Sequence, residues 1–190
     1  DQPAQAPHFP SSLIRETRSL PTPWAVWAKG WNWFRSFQLS DPLRLARNSE
    51  PIELTLGFPT EQISDPTREI RIAIIEDQGL REIPSQVHHV KRRDRELVAQ
   101  LLFLAPASDR HERTILIFHG NPDAELPAYT TDLHTRGEGF GLEIENSFFK
   151  ANLSQQMGQL ERLTVKHGFG LELVAGGEGH GEPPCIDWAP

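Results

Sequence analysis

From Glu50 onward the apolar residues fall at every second position. Ile52, Leu54, Leu56 and Phe58 alternate with Glu53, Thr55 and Gly57, and Ile70, Ile72 and Ile74 repeat the pattern. A period of two is that of a half-buried strand, because successive side chains point to opposite faces. Asp77-Gln-Gly79 supplies a turn. Leu97 to Leu104 is nearly continuous in apolar residues, which predicts a strand covered on both faces. Thr114 to Phe118 is a short strand that runs into His119-Gly-Asn-Pro-Asp123, a stretch with strong turn chemistry. Together these runs predict a small β barrel or sandwich over residues 50–123.

Residues 124–139, with Pro127 and two glycines, read as a linker to a second block. That block opens at Gly141 to Asn146, continues through Ser147 to Leu153, turns at Gln155 to Gly158, and returns through Gln159 to Val165. Gly168-Phe-Gly170 then leads into Leu171 to Val174. The pattern is an antiparallel meander with glycine at its turns. A meander this short, with polar faces, needs further strands to close a core. The expectation is therefore a second domain, residues 140–190, completed by polypeptide outside this chain.

Ahead of both blocks the pattern differs. Residues 1–23 are rich in Pro, Ser, Gln and Ala and predict an extended or disordered arm. Trp24, Trp27, Trp31 and Phe34 then recur at spacings of three and four, which puts one aromatic stripe on a short helix with Pro23 in its first turn. Three roles fit such a stripe. It packs on a neighbouring layer, it stacks on the apolar faces of sugar rings, or it meets a partner chain.

Composition narrows the class. A hydrophobic share of 37%, a mean hydropathy of −0.47 and 16 prolines place the chain among loop-rich, all-β proteins. No apolar run approaches the roughly 18 residues of a membrane span. The net charge of −7 argues against a nucleic-acid backbone as partner, since that affinity rests on Lys and Arg neutralising phosphates. The basic cluster Lys91-Arg-Arg93 with Arg95 is interrupted by Asp94 and flanked by Glu96, and reads as a solvated turn that a polyanion could meet locally. Cys185 is the single cysteine, so no intrachain disulfide framework exists. The polar opening Asp1-Gln-Pro-Ala-Gln-Ala-Pro7 is like that of a mature exported protein and equally like a proteolytic end; the first reading predicts a secreted or periplasmic location.

Two stretches carry a family resemblance. LEIENSFFKANLSQQMGQLERLTVKHGFGLELV, residues 142–174, resembles the opening strands of the galactose-mutarotase-like β-supersandwich of large polysaccharide lyases and several glycoside hydrolases. Glu145-Asn146, Phe149, Gly158 and Leu160-Glu-Arg-Leu163 occupy the places of that element. Residues 50–87 and 101–122 resemble the small N-terminal barrel of the rhamnogalacturonan exolyase-like family, through Gly79, Ile83-Pro84, Gln86 and Phe118-His-Gly-Asn-Pro122. The resemblance implies the N-terminal portion of an exported polysaccharide-degrading enzyme, a lyase acting on a uronic-acid-containing glycan by β-elimination. Its partners would be a polysaccharide and the remainder of the same enzyme. Such enzymes are several times longer than this chain, so no catalytic position is carried over from them.

The stretch Glu178-Gly-His-Gly-Glu-Pro-Pro184 has the composition of a site. Its glycines let backbone approach closely while His180, Glu178 and Glu182 stand within five residues. Elimination needs a base for the proton α to the uronate carboxylate and a group that neutralises the developing enolate, a scheme His180 suits. Hydrolysis needs two carboxylates, to which Glu178 and Glu182 correspond. With Asp187, these side chains are also ligand types for a divalent cation such as calcium. A Gly/Pro-rich connection between strands is the alternative to all of these. Trp24, Trp27, Trp31 and Trp188 are the candidate sugar-binding aromatics. A non-catalytic carbohydrate-binding module and a glycoside hydrolase fragment remain alternatives. Elsewhere, adjacent His88 and His89 are expected on opposite faces of a strand and so do not easily grip one ion together, and His119 sits in a turn. The sequence has no Gly-x-Ser-x-Gly elbow, phosphate-binding loop or His-Glu-x-x-His motif, which disfavours esterase, nucleotidase and zinc-protease chemistry.

Overall fold

The computed structural model describes residues 13–40, 50–76, 79–105, 112–156, 158–167 and 170–175. The protein is all-β, and the chain divides into two compact units between Ala128 and Tyr129. In the front unit, β1 (Arg15–Glu16) and a 3-10 turn precede α1 (Thr22–Trp27) and β2 (Trp33–Ser40). There follow β3 (Pro51–Pro59), α2 (Pro66–Glu69), β4 (Ile70–Glu76), β5 (Gly79–Ile83), β6 (Ser85–Arg93), β7 (Glu96–Leu104) and β8 (Glu112–His119). All pairings are antiparallel and build two sheets, ordered β1-β2-β8-β4-β5 and β3-β7-β6.

The alternating residues explain the packing. Ile72 and Ile74 of β4, Ile115 and Ile117 of β8, and Leu97, Ala99, Leu101 and Phe103 of β7 form one buried cluster with Phe58 and Ile83. This core lies between the two sheets, and each fully buried Ile or Leu contributes about 1.5–3 kcal/mol. On the opposite face of the five-stranded sheet, Ala73, Leu116, Phe118 and Phe34 form a second cluster with Leu20, Trp24 and Ala28 of the α1 region. The layers are thus helix, five-stranded sheet and three-stranded sheet.

That layering corrects three expectations. β4 and β8 are the strands covered on both faces, whereas β7 alternates, with Leu104 55% exposed, because α1 covers the larger sheet and not the smaller one. The aromatic helix does not run from Trp24 to Phe34. It ends at Ala28, Gly30 turns the chain at φ +94°, and a period of two takes over in β2, with Phe34 and Ser36 buried between half-buried neighbours. The front unit also begins upstream of Glu50, since β2 pairs with β8 over eight residues and Arg15 and Glu16 pair with β2.

In the rear unit β9 (His134–Arg136), β10 (Glu143–Glu145), β11 (Phe149–Leu153), β12 (Leu160–Val165) and β13 (Leu171–Ala175) form a sheet in sequence order. β9 lies inside the stretch expected to be linker; it is recruited because Thr135 pairs with Ile144. Asn146 closes the β10–β11 turn by accepting from Phe148 N at 2.8 Å and Phe149 N at 2.9 Å. The paired positions sort the sheet into two faces. Ile144, Phe149, Ala151, Leu163, Val165 and Leu171 share one; Glu143, Glu145, Lys150, Asn152, Arg162 and Glu172 share the other. Among the described residues of this unit only Ala151 and Ser154 are buried.

Candidate functional site

The expected aromatic platform is packed inward. Trp24 is 7% exposed within the second cluster, and Trp27 and Trp31, half-buried, pack against the same cluster. The Trp27 ring lies 4.9 Å from that of Phe118, and the Arg71 guanidinium sits 5.5 Å over Trp31. The geometry is that of the packing role, the first of the three the stripe admits. Arg71 Nη1 donates to the carbonyls of Arg68 and Ile70, each at 2.8 Å, Nη2 donates to Glu125 O, and Nε pairs with Glu82 at 3.2 Å. It ties the segment after β8 back to β4 and β5. His180, Glu178, Glu182 and Trp188 lie outside the described residues, as does Asp187.

A polar cluster that the sequence does not announce sits at the end of β8. His119 is fully buried, although it adjoins the turn chemistry of Gly120-Asn-Pro-Asp123, because its position in β8 places it beside Trp33 and Ile70 in neighbouring strands. Its Nε2 is 3.0 Å from Gln62 Oε1 and its ring meets Phe58 edge-on at 5.0 Å. Gln62 accepts, so the ring carries its proton on Nε2. Burial, with the Arg35 charge adding to it, pushes the imidazole down to about 3. Arg35 in turn lies 5.2 Å over Phe58 and donates to Gly57 O. A neutral, buried imidazole beside a guanidinium is a fold element; a general base near neutrality requires a ring that can take a proton there.

The charged face of the rear sheet is the other concentration of ionisable groups. Lys150 Nζ lies 2.8 Å from Glu143, and Lys166 Nζ lies 2.6 Å from Glu145. Hydrogen bonds from Lys150 and Asn152 hold the Glu143 carboxyl below its ordinary range, and Lys166 does the same for Glu145. Glu143 in return raises Lys150. A glycosidase acid needs a raised carboxyl, so these lysine-bound carboxylates suit cross-strand pairing and contact with a polar ligand rather than proton donation.

The histidine pair departs from expectation. His88 pairs with Gln100 and Lys91 with Val98, so His89 and Val90 together oppose Ala99 alone. This bulge, with His89 at φ +47°, swings the second ring to the side of the first, and the two Nδ1 atoms approach to 2.7 Å. The sequence shows the two histidines but not the bulge, whose only signal is the break from apolar alternation after Val87. Among the described residues no group of three or more His, Cys, Asp or Glu side chains is disposed to hold a metal ion. No helix among them is long and apolar enough to cross a membrane.

Comparison with known proteins finds no matching family model, no matching curated protein and no matching solved structure.

Proposed function

We propose that this chain is the front portion of an exported polysaccharide-degrading enzyme that acts on a uronic-acid-containing glycan by β-elimination. In this reading residues 13–128 are a non-catalytic β domain, and residues 129–175 are the first layer of a larger β-supersandwich. The observation that carries it is the rear sheet. Its register puts Ile144, Phe149, Ala151, Leu163, Val165 and Leu171 on one face, yet only Ala151 of these is buried. A sheet with one apolar face takes a second layer against that face. The opposite face presents Lys150, Lys166 and Arg162, each paired with a carboxylate, a polar surface that a glycan fits through hydrogen bonds.

The glycan and the elimination chemistry come from the resemblance of residues 50–87, 101–122 and 142–174; the two-unit arrangement is independent support for the architecture. The test is retention of the 190-residue chain on a panel of neutral and uronate-containing polysaccharides, together with an ultraviolet assay for unsaturated uronate ends. Selective retention on the acidic glycans is expected, and a chain that no glycan retains overturns the reading. Turnover by the chain unaided would move the chemistry into these residues, with the Gly177 to Pro184 stretch as the first place to mutate.

A further inference from the structure

The outer face of the three-stranded sheet carries an arrangement that neither glycan binding nor packing requires. β3 and β6 flank β7, and Glu53 pairs with Leu102 while His88 pairs with Gln100. Leu101 and Ala99 point into the core, so these residues stand on the opposite, outer face. His88 reaches across it to place Nε2 3.7 Å from Glu53 Oε2. That nitrogen is buried and makes no hydrogen bond, and the Glu53 carboxylate at 3.7 Å is a charged neighbour on its side of the ring. In the tautomer whose Nε2 proton faces Glu53, the lone pair of His88 is on Nδ1, which lies 2.7 Å from Nδ1 of His89 and there accepts a hydrogen bond from it.

His89 is the one non-glycine residue with positive φ among the described residues. A bulge and a left-handed histidine both cost stability relative to a regular strand, and such features cluster where a side chain is being re-aimed. Here the effect is to bring two imidazole nitrogens onto one side, where a regular strand would send them to opposite faces.

The geometry points to a transition-metal site at His88 and His89, with both Nδ1 atoms as ligands, Glu53 as the carboxylate that orients His88, and water in the remaining positions. Metal–imidazole bonds of about 2.0–2.1 Å spanning this separation subtend an angle of roughly 80°. That is close to the right angle of square-planar or octahedral coordination and far from the tetrahedral angle. The site therefore takes Cu(II) or Ni(II) in preference to zinc. The pairing of a ligating histidine with a carboxylate on its other nitrogen is the usual outer-shell arrangement of metal-bound imidazole.

The experiment is a titration of the whole chain with copper(II) chloride in a non-coordinating buffer, read by electron paramagnetic resonance and by visible circular dichroism. The expected result is a signal with two nitrogen ligands that saturates near one ion per chain. His88→Gln and His89→Asn should each weaken binding more than about tenfold, and Glu53→Gln about 10–100-fold. Asn keeps a residue that tolerates positive φ, so His89→Asn retains the fold, which far-ultraviolet circular dichroism checks. Wild-type-like copper binding by both histidine variants would place the ion at another histidine and overturn the proposal. Absence of a two-nitrogen signal from the unaltered chain would also overturn it. Unchanged affinity in Glu53→Gln would overturn the orienting role of Glu53.

Discussion

At the scale of single residues, His119 is where acid should act on this fold. Its unfolded form takes up a proton near the ordinary 6.5, while the buried ring does so only at about 3. Between those limits the unfolded state binds more protons, so stability rises with pH; the contribution is complete above 6.5 and is lost as pH falls toward 3. At about 1.4 kcal/mol per pH unit, urea unfolding at pH 4 should show about 3 kcal/mol less stability from this group than at pH 7. His119→Gln should flatten that dependence. Beside it, Gly120 has φ +76°, and a Cβ there would meet Gln62 O and the Trp33 ring, both at 2.8 Å. Gly120→Ala should cost about 1–3 kcal/mol by the same measurement. Trp24→Ala should cost about 3–5 kcal/mol, as a core aromatic does, and leave glycan retention unchanged. None of these roles is written in the local sequence. His119 followed by Gly-Asn-Pro looks like the start of an exposed turn; its burial comes from Trp33 and Ile70, which are distant in the chain.

At the scale of elements, the strands were legible and their coverage was not. Ile52 to Phe58 and Ile70 to Ile74 alternate as strands should, and Asn146 and Gly158 mark the turns of the rear meander where the structure has them. β7 misleads because Leu101 to Leu104 is a continuous apolar run whose outer half faces away from the core. The aromatic stripe misleads in another way, since Trp24, Trp27 and Phe34 do share a cluster but reach it from a helix and a strand. Amide hydrogen exchange should rank these differences. β4 and β8, covered on both faces, should be slowest, and β6, an edge strand exposed along Val90 to Arg93, should be fastest within the front unit. In the rear sheet, the apolar face should bind an environment-sensitive hydrophobic dye. Leu163→Glu combined with Val165→Glu should abolish that signal.

At the scale of the molecule, the boundary at Ala128 falls among exposed residues, with Leu126 at 65% and Leu133 at 45%. Limited chymotrypsin digestion should therefore cut first between Leu126 and Leu133 and leave the front unit with its cooperative thermal transition, as mass spectrometry and calorimetry would show. The sequence shows two blocks, but it places the start of the first too late. β2 resembles the tail of a helix until its partner is known, and that partner is β8. Phe34 lies opposite Phe118, with all of β3 to β7 between them in the chain. A nascent polypeptide emerging at about 5–20 residues per second would thus hold Trp24, Trp27 and Phe34 without their sheet for several seconds. During that interval these aromatics are exposed apolar surface, which makes the unfinished unit prone to aggregate. The front unit is a structure that its own translation completes only at the last strand.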